Sequence, residues 1–109
     1  MTLRKLTDDN FAEMILNAPG AVMVDFYAGW CRWCRVMEPN VVRLAEDAET
    51  AGKVFTADID SLPETAGKYN IRTVPTLIVF SGGEEVCRKT GTRSFRAMKK
   101  MLLQAGGEK

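Results

Sequence analysis

At 109 residues the chain has the length of one domain, and 46% hydrophobic with 27% charged residues is the composition of an ordinary soluble globular fold. Fifteen basic residues against fourteen acidic leave a formal net charge of +1, so no bulk field favours nucleic acid or an anionic membrane as partner. The absence of histidine and the presence of only three cysteines exclude, within one chain, Cys-His nucleophilic catalysis, histidine-ligated metal and a four-cysteine zinc site. The odd cysteine count argues against a secreted disulfide framework. No stretch approaches the roughly 18 uninterrupted apolar residues of a membrane helix, and no apolar signal core precedes Asp8-Asp9. The expectation is a cytoplasmic, monomeric single domain over residues 1–109.

In chain order, Thr2–Leu6 reads as a short extended start. Thr7 or Asp8 is placed to cap a helix with Phe11, Met14 and Ile15 on its apolar side, and Ala18-Pro19-Gly20 ends it. The apolar run 21–28 predicts a buried strand. A long helix follows from about 31 to 50, with a kink expected at Pro39. Lys53–Asp60 reads as a second buried strand and 63–69 as a shorter helix. Residues 76–80 predict a third strand, Ser81-Gly82-Gly83 a hairpin turn, and Glu85–Thr90 an antiparallel return. The last helix begins at Ser94 with Phe95, Met98, Leu102 and Ala105 on one face, and Gly106–Lys109 is expected to fray. Strand–helix alternation closed by a hairpin predicts an α/β fold with a mixed sheet and helices on both faces.

Trp30-Cys31-Arg32-Trp33-Cys34 falls where the strand at 21–28 feeds the long helix. Cysteines three residues apart at a helix start share a face, with Cβ atoms roughly 5–6 Å apart, so a small adjustment lets them bridge. The free N–H groups and positive dipole end of the helix favour a thiolate at Cys31. Cys31, at the exposed helix end, is therefore the expected nucleophile, and Cys34, one turn further in, the more buried resolving thiol. Asp25 interrupts an otherwise apolar run six residues before Cys31. A buried carboxylate is costly unless it has a partner or a task, and the task read here is accepting the proton of Cys34. Pro75 precedes a strand, which by itself predicts an ordinary trans proline.

Together, Leu6-Thr7-Asp8-Asp9-Asn10-Phe11, Val24-Asp25-Phe26-Tyr27-Ala28, Trp30-Cys31-x-x-Cys34, Pro39, Asp58-Ile59-Asp60, Tyr69-Asn70-Ile71-Arg72, Val74-Pro75-Thr76-Leu77 and Gly91 occur in the order and spacing of the thioredoxin family, which the chain resembles over essentially its whole length. The resemblance implies the thioredoxin fold, a central mixed β-sheet flanked by four helices, and a cis Pro75 beside the cysteine pair. It implies that Trp30, Val74, Pro75 and Gly91 form an apolar docking surface, where the Val74 backbone pairs with an extended substrate segment. The implied activity is reduction of protein disulfides by dithiol–disulfide exchange, without cofactor or metal, on disulfide-containing substrate proteins and with a separate reductase for recycling.

The chain departs from the family pattern at Arg32-Trp33, where conventional members carry Gly-Pro, and this pair is the expected tuner of redox potential. The position of a lysine often found near the buried aspartate is Thr56. Cys87, on the hairpin strand, reads as an inert structural thiol. Two rival readings use the same residues: a thioredoxin-fold scaffold that holds a partner through Trp30 and Trp33, and a dimer bridged by metal through Cys31 and Cys34 of two chains.

Overall fold

The computed structural model describes residues 4–105; the expected extended start at Thr2 and the fraying tail at Gly106–Lys109 lie partly or wholly outside them. Five strands form one mixed sheet in the order β1-β3-β2-β4-β5: β1 Arg4–Lys5, β2 Val22–Tyr27, β3 Val54–Asp58, β4 Thr76–Ser81 and β5 Glu84–Thr90. The β1, β3 and β2 neighbours run parallel, whereas β4 pairs antiparallel with both β2 and β5. A π-helical segment, Ala12–Leu16, and three α-helices, α1 Arg32–Glu46, α2 Pro63–Lys68 and α3 Phe95–Ala105, complete the layers. The expected mixed sheet with four flanking helices is the architecture found.

Strand alternation divides the core. Val22, Val24, Phe26, Phe55, Ala57, Ile78 and Phe80 point to one face, where Phe11, Ile15 and Leu62 cover them. Phe11 is the aromatic hub, with ring centroids 5.6 Å from Phe80 and 5.7 Å from Tyr69. Met23, Val54, Leu77 and Val79 point to the other face, under Met37, Val41 and Leu44 of α1 and Met98 and Leu102 of α3. The α1 residues recur at the three-to-four spacing of one helix face. Pro39 lies on the exposed side, so α1 continues through it where solvent can replace the lost backbone hydrogen bond.

The structure revises several expected boundaries. The first helix is shorter and wider than its periodicity predicts: residues 8–10 form a turn, and the Asn17 N–H bonds to Ala12 O, five residues back. Of the two candidate caps, Thr7 serves locally, its hydroxyl accepting from the Asn10 N–H. Asp8 instead caps α2, accepting from the N–H groups of Glu64 and Thr65 at 3.2 and 2.8 Å and from the Thr65 hydroxyl at 2.7 Å. Helix α1 ends at Glu46 rather than near 50, because Asp47 turns to an extended backbone and the buried Thr50 hydroxyl donates to Leu44 O. Lys99 of α3 holds the turn through Asp47 and Glu49. Consecutive positive φ angles of 64° and 83° at Gly82 and Gly83 make the hairpin turn that glycine permits. The last helix, expected to begin at Ser94, runs Phe95–Ala105 with Ser94 as its cap, the hydroxyl accepting from the Ala97 N–H.

The Asp8 cap carries a testable consequence. Partial desolvation pushes its carboxyl up, but the hydrogen bonds from Thr65 and Glu64 outweigh this and hold it below the ordinary aspartate value. A depressed folded pKa means that the stabilisation is present above the unfolded pKa and is lost as pH falls through the folded one. Asp8→Ala should lower Tm by a few degrees at neutral pH, and thermal melts should converge with wild type in strong acid. Equal Tm values at pH 7 would show that the cap is not needed.

Candidate active site

The alternation that sends Met23 toward α1 sends Asp25 there too. In register, Asp25 lies opposite Thr56 on β3 and Leu77 on β4, beneath the first turns of α1. Cys31 is the N-cap of that helix, with an extended backbone and a side-chain sulfur that accepts from the Cys34 N–H at 3.1 Å. The sulfur thus takes the place that a serine or aspartate oxygen occupies in an ordinary helix cap, and an N-terminal N–H is aimed at it, a setting that favours a thiolate over a thiol.

Cys31 and Cys34 are joined as a disulfide, with their Cα atoms 5.3 Å apart. The expected contrast in burial between them is not found: the two residues are 6% and 5% exposed. Ala28 packs with both cysteines, and Tyr27, Ile59 and Val74 close around them, so the helix end is covered rather than open. The Val74–Pro75 bond is cis, as the family resemblance implied and against the ordinary trans preference. Val74 O lies 3.6 Å from Cys31 Sγ. Gly91, at φ +84°, donates its N–H to Pro75 O at 2.8 Å and so ties the end of β5 to the proline loop. Trp30 and Trp33 stand out to solvent at 68% and 58% exposed. The Arg32 guanidinium lies over the Trp33 ring, 5.6 Å from its centroid.

Asp25 is 5% exposed, and its Oδ1 has no hydrogen-bond partner among the described residues. Burial, with a smaller contribution from the Glu38 charge, pushes its carboxyl up to about 7. A carboxyl in that range exchanges its proton near neutral pH, which suits a base that must accept a thiol proton and later give it up. Asp25 and Cys34 line the same cleft, of about 490 Å³, with Glu38 and Thr56.

Three supporting residues escaped the sequence reading. The Asp60 carboxylate accepts from Trp30 Nε1 at 3.2 Å and fixes the exposed ring. Arg35 Nη1 donates to Gly29 O at 2.8 Å and pins the turn before Cys31. Glu38 follows Cys34 by four residues, a spacing that places both on one helix face and was available as a signal. Cys87 lies opposite Val79 and packs at the edge of the core under α1 and α3. Among the described residues no group of three or more His, Cys, Asp or Glu side chains is arranged to hold a metal, and no helix is long and apolar enough to cross a membrane.

This arrangement has counterparts among known proteins. A family model described as Thioredoxin matches residues 2–104. Thioredoxin C-2 of Corynebacterium nephridii is 39% identical over 90 residues, covering 83% of each chain. Thioredoxin of Rickettsia bellii is 40% identical over 86 residues, covering 79% of this chain and 82% of that one. The crystal structure of a Malassezia sympodialis thioredoxin superposes with a TM-score of 0.84 over 97% of this chain and 92% of that one; at 21% identity it speaks for the fold. With the family matched along almost the whole sequence and a bridged cysteine pair at the head of α1, the chain belongs to the thioredoxin family and is a thiol–disulfide oxidoreductase.

Proposed function

We propose that the protein acts as a single domain and a monomer in the cytoplasm, reducing disulfides of other proteins and being re-reduced by a separate reductase. The observation that carries this reading is Cys31 Sγ, capping α1, receiving the Cys34 N–H and lying beside the Val74 carbonyl. In the reduced protein the Cys31 thiolate attacks one sulfur of the substrate disulfide; that S–S bond breaks, and the other substrate sulfur leaves as a thiolate that takes a proton from water. Cys34 then gives its proton to Asp25 and attacks Cys31 Sγ, which releases the second substrate thiolate and closes the Cys31–Cys34 disulfide. Both electrons come from the two thiols, so no cofactor is needed. Trp30, Val74, Pro75 and Gly91 form the docking surface, with an extended substrate segment pairing along the Val74 backbone.

The direction of electron flow is tested by equilibrating the Cys31–Cys34 pair with a reference dithiol. The expected potential is modestly less reducing than the roughly −270 mV of thioredoxin and well short of the roughly −120 mV of a strong oxidant. A value near the latter would overturn the reductase reading. Arg32 contributes to the difference: a cation about 6 Å from a thiolate is worth about 0.7 kcal/mol in water-like surroundings and about 3 kcal/mol at an effective dielectric of 20. Arg32 is exposed and stacked on Trp33, which favours the smaller figure. Arg32→Gly should make the potential more negative by about 15 mV and raise the pH at which the Cys31 thiolate forms. No change in either would leave Arg32-Trp33 as a recognition surface only.

A further inference from the structure

The cleft over Asp25 is built from both layers of the fold. Lys5 lies opposite Thr56, and Thr56 opposite Asp25, so these three side chains leave one face of the sheet in a single cross-strand row. Cys34 and Glu38, one turn apart on the same side of α1, line the cleft from above. The unpartnered Oδ1 of Asp25 is buried against this space. Through it a proton taken from Cys34 can reach water, and Glu38 places a second carboxylate along the way.

We propose that Glu38 is a positioning residue for the exchange reaction, its negative charge at the cleft making Asp25 a stronger base toward the Cys34 thiol. This rests on the reading of Asp25 as the proton acceptor. Glu38 is exposed and lines the cleft in which the buried Asp25 carboxyl lies; its negative charge disfavours ionisation of Asp25 and so adds to burial in raising that carboxyl. Tyr27 lines the same cleft, and its hydroxyl is itself pushed up by burial and by the charges of Asp58, Asp25 and Glu38. Two cations line the same cleft: Arg35, whose Nη1 is turned to the Gly29 carbonyl, and Lys5, exposed and separated from Asp25 in register by Thr56. Thr56 on β3 and Leu77 on β4, which flank Asp25 in register, bring no charge.

The test is a direct carbon-13 NMR titration of the Asp25 carboxyl in wild type, Glu38→Gln and Glu38→Asp. It is paired with the pH profile of the Cys34-dependent resolution of a mixed disulfide between Cys31 and a test peptide. Glu38→Gln should lower the proton affinity of Asp25 about threefold and move the acid limb of the resolution profile to lower pH by the same interval. Glu38→Asp, which keeps the charge, should restore most of both. If the Asp25 titration stays in place in Glu38→Gln, the proposal fails while the base role of Asp25 stands. If the titration moves and the profile does not, Asp25 is not the base, and the role of Glu38 in exchange falls with it.

Discussion

Cys34→Ser should halt turnover with the substrate still attached, as a stable mixed disulfide at Cys31 visible by non-reducing electrophoresis and mass spectrometry. The expectation follows from the division of labour at the head of α1. Of the two cysteines it is the Cys31 sulfur that receives a helix N-terminal N–H and borders the Val74 carbonyl, which is why the proposed mechanism gives the first attack to it. Release needs a second sulfur within bonding reach of Cys31, and Cys34 is already joined to it. A serine hydroxyl at position 34 cannot displace the substrate thiolate. Cys31→Ser, by contrast, should bring disulfide reduction down to the uncatalysed background without trapping anything. A variant with Cys34→Ser that turned over normally would reverse the two roles. Cys87→Ser should leave the rate nearly unchanged, because Cys87 packs beside the core on β5; a large loss would give that thiol a part in the reaction.

Much of this was legible in the sequence because local patterns and tertiary demands agree. The apolar run around Asp25, the three-to-four spacing from Cys34 through Leu44, and Gly82-Gly83 each specify an element that packing then uses, with only its ends moved. The misplacements occur where a side chain serves a distant element. Asp8 looks like the cap of the segment it begins, yet its carboxylate closes α2, 56 residues away. Thr50 looks like helix continuation, yet its hydroxyl turns back to Leu44 O while Lys99 of α3 grips the turn. No periodicity encodes such contacts.

The site shows the same division. The cysteine pair and Asp25 are visible as residues that break an expected pattern: thiols at a strand-to-helix junction, a carboxylate in an apolar strand. Asp60 and Arg35 are charged residues in exposed segments, where charge is ordinary, and only the fold reveals that one holds Trp30 and the other the Gly29 turn. The near-equal burial of Cys31 and Cys34 likewise depends on Val74, 40 residues downstream of Cys34, closing over the helix end.

Asp25→Asn should stabilise the oxidised protein by about 2–4 kcal/mol at pH 8 while slowing resolution of mixed disulfides. A carboxyl raised by burial to about 7 from 3.8 binds its proton more tightly folded than unfolded. Its ionisation therefore opposes folding, and the penalty approaches about 4 kcal/mol once both states are ionised. The unpartnered amide that replaces it has its own burial cost, which sets the lower end of the range. The sign fixes the pH dependence. Below the ordinary aspartate value the carboxyl is protonated in both states, and wild type has lost no stability. As pH rises from about 4 to about 7 wild type weakens and the asparagine variant does not, so the gain should grow across that window and level off above it. Denaturant melts of both proteins at pH 3.5, 6 and 8 measure this directly. A variant less stable than wild type at pH 8, or a gain independent of pH, would contradict a buried carboxyl without a compensating partner. The same burial that destabilises the fold at pH 8 gives Asp25 the proton affinity to take a thiol proton near neutrality, so substitutions that remove its charge should trade resolution rate for stability.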